Sequence, residues 1–288
     1  MDLNTTIANN FGMNVKEIEH ESLNRTYVGY SSKYQQKVFL KLYRKVNHTK
    51  FVVEREVNQQ LNDRYIGEFQ LDEKITDFIY GLVLKDINPQ NIDFRGDDSQ
   101  IVFELGLQLG RFHKTVMPFD GLPSIVDLTD VVTEGIQQVH IVETRMALEQ
   151  LQRDFMKNYP HIMQKISSHS VVLHGDVSVR NFKIVASDLS FIDFERAKKG
   201  VQYLDFVKLF YQDFKLDNGL MDSFKKGYET VASLAEIPEH LRWYCVFYTA
   251  IGIIKYTERV DDKLFQMLGE TMLSDCRCFL NGQVHPAI

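Results

Sequence analysis

One stretch in the second half of the chain holds residue types whose spacing suits chemistry. It reads His174-Gly175-Asp176-Val177-Ser178-Val179-Arg180-Asn181, and Ile192-Asp193-Phe194-Glu195 follows it. Asn181 lies five residues after Asp176, and Asp193 lies twelve after Asn181. A carboxylate can orient a hydroxyl and accept its proton. Mg²⁺ is a hard ion that takes one or two carboxylate or amide oxygens together with phosphates and water. A loop ending in Asn, then a hairpin, then Asp returns two such ligands to one place. The chemistry this suits is transfer of the γ-phosphoryl of ATP or GTP, with Asp176 as base and Asn181 and Asp193 as metal ligands. An H-G-D triplet alone is more often a turn or a cap; the full set of offsets carries the reading. Arg180 has two readings, a cation that neutralises the transferred phosphoryl group or one arm of a structural salt bridge. His174 reads as an anchor of the loop rather than a proton carrier.

The elements around this stretch fall into two blocks. Val15–Glu21, Arg25–Ser31 and Lys37–Tyr43 are short runs rich in β-branched and aromatic residues, separated by polar breaks, which predicts an antiparallel meander. A helix follows, with Phe51, Val53, Val57 and Leu61 on its apolar stripe, and a further strand pair is placed at Gly67–Leu71 and Asp77–Leu84. From Asp98 the pattern turns helical. Ile101, Leu105, Leu109, Phe112 and Val116 recur at spacings of three and four, and helices fit Asp130–Met156, Leu204–Phe214, Met221–Leu234 and Leu241–Val260. Phe182–Val185 and Leu189–Ile192 predict a small hairpin within that helical part. Strands first and helices second predict an α+β chain of two lobes with a cleft between them.

Composition narrows the function classes. The 288 residues are 44% hydrophobic and 25% charged, an ordinary globular balance that excludes a disordered or low-complexity chain. The net charge of −6, with no basic block, leaves no footprint for duplex nucleic acid. Three cysteines cannot form a disulfide framework and fit a reducing compartment. The start of the chain lacks a signal-peptide pattern, and the most apolar run, from Trp243 to Ile254, is shorter than the roughly 20 residues of a membrane span. The expectation is a cytoplasmic protein, monomer or homodimer, without membrane or nucleic-acid partners.

The His, Asp, Asn and Asp-Phe offsets match the protein-kinase signature H-R-D-L-x-x-x-N followed by D-F-G. With Gly175 in place of Arg, and Phe191-Ile192-Asp193 as the hydrophobic-Ile-Asp run, the chain resembles the aminoglycoside phosphotransferase and choline kinase family. The resemblance spans about Val15 to Val260. It implies a protein-kinase-like fold: residues 1–87 as a nucleotide-binding lobe, a small antiparallel sheet with one helix, then residues 88–288 as a larger, mainly helical lobe carrying catalysis and substrate. It also implies that Asp205, in Tyr203-Leu204-Asp205-Phe206-Val207, braces the catalytic loop. His113 ends a helix like the family's leucine-rich one and reads as packing and local hydrogen bonding.

The same resemblance implies a strand lysine on the nucleotide phosphates, paired with a helix glutamate. Lys41 fits, because a lysine inside an apolar strand is costly without a partner. Glu56, in Val53-Glu54-Arg55-Glu56, is the favoured partner; Lys37 and Glu54 are the competing choices, with Glu54 read as a surface residue. There is no G-x-G-x-x-G, so Ser22, Asn24 and Thr26 are the candidates to meet phosphate. Backbone groups from Lys85 to Ile87 would pair with adenine. Glu195, standing where protein kinases have Gly, is either an additional Mg²⁺ ligand or a surface residue. The acceptor is expected to be a hydroxyl of an aminoglycoside-, choline- or sugar-like molecule. An acidic insert (Asp127, Asp130, Glu134, Glu143, Glu149, Asp154) reads as its pocket or as a solvated helix face, and Trp243, Tyr244 and Tyr248 as an aromatic cage or as core. The rivals are a kinase of peptides or proteins and a nucleotide-binding pseudoenzyme acting as a scaffold.

Overall fold

The computed structural model describes residues 3–18, 24–61, 64–94, 98–125, 127–160, 170–186 and 188–283. Five strands form one antiparallel sheet: β1 (Met13–Ile18), β2 (Arg25–Ser31), β3 (Gln36–Arg44), β4 (Tyr65–Gln70) and β5 (Phe78–Lys85), in spatial order β1-β2-β3-β5-β4. Successive strand side chains point to opposite faces. Val38, Leu40 and Leu42 of β3 therefore bury with Val83 on one face, where Ile7 of α1 (Leu3–Phe11) also packs. Tyr43 of β3 joins Leu82 and Leu84 on the other face, against Phe51 of α2 (His48–Leu61). Lys41 lies on this second face, turned towards α2. The sheet thus carries a second helix, α1, beyond the one expected. Phe11 of α1 stacks on Phe69 of β4 with ring centroids 3.9 Å apart.

The second lobe is mainly helical. It contains α3 (Ser99–Thr115), α4 (Leu128–Gln137), α5 (Val142–Asn158), α6 (Leu204–Lys208), α7 (Asn218–Glu229), α8 (Glu239–Thr257) and α9 (Lys263–Leu280). The single helix expected over Asp130–Met156 is two. The break falls where the Glu258 carboxylate accepts the N–H groups of His140 (2.8 Å) and Ile141 (3.0 Å) and so starts α5 afresh. The helix expected at Leu204–Phe214 changes character midway, α6 continuing as a π-helical turn over Leu209–Asp213. Asp127, Asp217 and Asp262 cap α4, α7 and α9 by accepting N–H groups of their first turns.

Short strands hold the motif stretch inside this lobe. In chain order, β6 is Gln90–Asn91, β7 Ser170–Leu173, β8 Phe182–Val185, β9 Asp188–Phe191 and β10 Lys198–Val201. β7 pairs with β10, while β8 and β9 form the expected hairpin with β6 on its edge. The His174–Asn181 loop therefore runs from one small sheet to the other. A single large core of aromatic and aliphatic side chains, including Phe112, Phe155, Phe194, Phe206 and Trp243, lies beneath it. No described helix is long and apolar enough to cross a membrane.

Candidate active site

The loop after β7 is fixed mainly through Asp205, in the first turn of α6. Its carboxylate accepts the N–H groups of His174 (2.7 Å) and Gly175 (2.9 Å). His113 of α3 donates to it through Nε2 at 3.0 Å and pairs through Nδ1 with the Tyr228 hydroxyl at 2.8 Å. His174 lies wholly buried; its Nε2 donates to the Ile192 carbonyl (3.1 Å) and its Nδ1 accepts the Asp176 N–H (3.3 Å). These partners define a neutral imidazole with the proton on Nε2, and burial accordingly lowers its pKa. His174 is thus tied on both sides to the segments it joins. Gly175 is needed twice over. Its φ is +80°, and a Cβ there would lie 2.1 Å from the Arg196 carbonyl oxygen.

Asp176 is buried, and its carboxylate is ringed by cations. Lys208 of α6 donates to Oδ1, the Arg180 guanidinium lies 3.0 Å from Oδ2, and Arg196 lies 4.0 Å from the same oxygen. Burial pushes the carboxyl up, but the Lys208, Arg196 and Arg180 charges outweigh it and hold it far below the usual carboxylate range. Lys208 and Arg196 were not singled out from the sequence. The signal for Lys208 is its position three residues after Asp205, which puts both on one side of α6. Asn181 donates its amide N–H to the Asp176 carbonyl at 2.8 Å. That bond closes the loop and turns the amide oxygen away from it.

Across the cleft, Lys41 Nζ meets three carboxylates: Glu54 at 2.7 Å, Asp193 at 2.6 Å and Glu195 at 3.0 Å. The partner of Lys41 is Glu54 and not Glu56. Two residues along a helix are about 200° of rotation, so the face that turns Phe51 to the sheet also carries Glu54. Glu56 turns away and pairs with Arg55. Lys37 is exposed. Tyr43 adds a hydroxyl on Glu54 at 2.5 Å. Burial by itself would lower the Lys41 pKa; the Glu54, Asp193 and Glu195 charges carry it well above its ordinary value, so the ammonium stays charged. Asp193 reaches this place from a left-handed backbone, φ +69°, a region where Asp is better tolerated than most residues.

Glu195 is not a surface residue. Its side chain is 11% exposed, and besides Lys41 it receives Lys50 of α2 (3.0 Å) and Asn24 (2.5 Å). Asn24 is therefore brought into the cleft. Thr26 sits opposite Lys41 in the β2–β3 register and donates its hydroxyl to the Ile18 carbonyl. Ser22 lies outside the described residues. Lys85 ends β5 with its N–H committed to the Arg64 carbonyl at 2.7 Å, so it has only a carbonyl to offer an adenine edge; Ile87, two residues on, is half-buried. For a divalent cation, Glu54, Asp193 and Glu195 each bring a carboxylate oxygen within 4.8 Å of the others. An all-oxygen donor set of this kind fits a hard ion such as Mg²⁺.

The residues proposed for an acidic acceptor pocket do not converge. Asp127 caps α4, while Asp130, Glu134 and Glu143 are exposed and Asp154 pairs with Gln150 along its own helix. Glu149 is partly exposed, and none of the six is buried. Trp243 and Tyr244 are fully buried core residues, and Tyr248 holds Lys198 by its hydroxyl (3.2 Å) and its ring (5.5 Å).

A five-stranded sheet over a helical lobe, with a strand lysine facing an H-G-D loop and an Asp-Phe hairpin, defines the class of protein-kinase-like phosphotransferases. The model of the phosphotransferase enzyme family (APH) matches residues 14–244, and the chain belongs to that family. Among solved structures, a putative aminoglycoside phosphotransferase from Ralstonia eutropha is 13% identical, with 98% of each chain covered and a TM-score of 0.70. Amicoumacin kinase in complex with AMP-PNP, Ca²⁺ and Ami is 14% identical over 90% of this chain and 88% of that one, with a TM-score of 0.66. The choline kinase LicA from Streptococcus pneumoniae is 12% identical over 97% and 98%, with a TM-score of 0.65. At these identities the likeness is one of fold. No curated protein matches the chain.

Proposed function

We propose that the chain is a small-molecule kinase that moves the γ-phosphoryl of ATP or GTP onto a hydroxyl. The observation that carries this reading is the contact of Lys41 with Asp193 at 2.6 Å, which joins residues 152 apart in sequence across the cleft that also holds Asp176. Lys41, kept charged and fixed by Glu54, binds the nucleotide phosphates, with Asn24 and Thr26 beside it. Asp193 and Asn181 hold Mg²⁺, with Glu195 adjoining; the ion supplies charge neutralisation on the phosphates when bound. Asp176 orients the acceptor hydroxyl and takes its proton as the acceptor oxygen bonds to the γ-phosphorus. The bond from that phosphorus to the bridging oxygen breaks, and the nucleoside diphosphate leaves with the electron pair. Arg180 and Lys208 stand where charge on the transferred group would be met.

The test is nucleoside diphosphate release from Mg·ATP with a panel of hydroxyl compounds. Asp176→Asn is expected to lower kcat about 10²–10⁴-fold, the usual range for a positioned base, while nucleotide-induced thermal stabilisation persists. Turnover unchanged in that variant would remove Asp176 as the base.

A further inference from the structure

The cleft is divided by charge. On the side of the sheet, three carboxylates gather on Lys41. On the side of the loop, three cations gather on the one carboxylate of Asp176. Asp193, Asp205 and Asp213 also lie near this side: Asp193 pairs with Lys41, Asp205 with His113 and the loop N–H groups, and Asp213 accepts the Val179 N–H at 3.3 Å and feels Lys208 and Arg180. Arg196 contacts no acid but Asp176 among the described residues. Arg196 is 54% exposed, and it lines a cavity of about 290 Å³ with Lys198, Ala197, Pro123 and the Lys50–Glu195 pair. Among the described residues, Lys198 has only an uncharged side-chain partner, the Tyr248 hydroxyl and ring. Among the described residues, none of the acids of the 127–154 region pairs with Arg196 or Lys198.

We infer that the phosphate acceptor carries an anionic group, a carboxylate or a phosphate monoester, beside the hydroxyl that is phosphorylated, and that Arg196 and Lys198 bind that group. The inference rests on the phosphotransferase reading of the site and names its acceptor class. A polycationic or quaternary-ammonium acceptor would have to approach Asp176 past Arg180, Arg196 and Lys208, and like charges brought together at a binding face select against that partner. An anionic acceptor meets complementary charge, and the guanidinium of Arg196 suits a planar carboxylate or a phosphate. The cavity is at the small end of ligand pockets, which favours a compact acceptor over a multi-ring one.

Four compact hydroxyl compounds separate charge from size: choline, glycerol, glycerate and glycerol 3-phosphate. Binding is measured by titration calorimetry on the full chain saturated with Mg²⁺ and AMP-PNP, so that the nucleotide-phosphate site is filled. The expected result is binding of glycerate or glycerol 3-phosphate at least tenfold tighter than glycerol, and no binding of choline; which of the two anions wins distinguishes carboxylate from phosphate. Arg196→Gln and Lys198→Gln should each weaken the anion at least tenfold while AMP-PNP affinity holds. Choline or glycerol binding as tightly as the anions, anion binding indifferent to both substitutions, or binding of none of the four would overturn the inference. Failure of the underlying reading looks different: neither ATP nor GTP would stabilise the protein, with Mg²⁺ present, yet the anions would still bind through Arg196 and Lys198.

Discussion

Glu54 and Glu56 are both carboxylates on α2, and the phase of the helix separates them. Glu54 is buried against Lys41 and Tyr43, and it keeps an ammonium inside an apolar strand. Removing one partner of a buried pair costs roughly 3–5 kcal/mol because the other charge is stranded. Glu54→Gln is expected to lose stability towards the lower end of that range, since Asp193 and Glu195 also reach Lys41, and to weaken nucleotide binding. Glu56→Gln should stay within about 0.5 kcal/mol, because Glu56 is half-buried and pairs only with its neighbour Arg55 among the described residues. Urea unfolding and nucleotide titration of the two variants check this; equal effects would show the pair misassigned. Asp193→Asn should weaken Mg·ATP binding more than binding of ATP without metal, and equal losses in both would exclude it as a ligand. At this scale the types and offsets at 174–193 were readable from sequence. The choice between two glutamates two positions apart was not, because it depends on which way the helix is rolled.

At the scale of elements, the period-2 and period-3.6 patterns located most strands and helices. Two helices went unrecognised although their stripes are regular: Leu3, Ile7 and Phe11 in α1, and Gly269, Met272, Leu273 and Cys276 in α9. α1 is built largely of Asn and Thr, weak helix formers, so it owes its stability to packing Ile7 and Phe11 on the sheet. Another element-level feature needs coordinates to be seen. α3 and α7 cross so closely that a Cβ on Gly106 would lie 2.0 Å from the Phe224 carbonyl oxygen, and one on Gly227 would lie 1.9 Å from that of Phe103. Because α3 carries His113 and α7 carries Tyr228, this crossing sets the brace behind Asp205. Gly106→Ala or Gly227→Ala would ordinarily favour a helix, yet each is expected to destabilise by about 1–3 kcal/mol through overpacking. Thermal or urea unfolding decides the sign, and a gain in stability would mean the helices are free to move apart.

For the whole molecule, the buried histidine of the loop couples folding to pH. Burial holds the folded-state pKa of His174 below the ordinary value of about 6.5. Below that pH the unfolded chain takes up a proton that the folded chain refuses. Stability is therefore full above pH 6.5 and falls with acidification until the folded-state pKa is reached, by up to about 1.4 kcal/mol per pH unit for one proton. Urea unfolding at pH 7.5, 6.5 and 5.5 should show this loss, and His174→Gln should flatten it; parallel slopes in the two proteins would refute it. The His174–Asn181 loop, the Asp-Phe hairpin, the strand lysine and the order of a sheet followed by helices were legible from the sequence, because each is written in short-range spacing or periodicity. Only the tertiary structure decided that Glu54 meets Lys41, that Glu195 faces inward, and that Lys208 and Arg196 surround Asp176. Those contacts join separate elements across the cleft, and the orientation of one packed face against another is fixed by the whole core rather than by any local pattern.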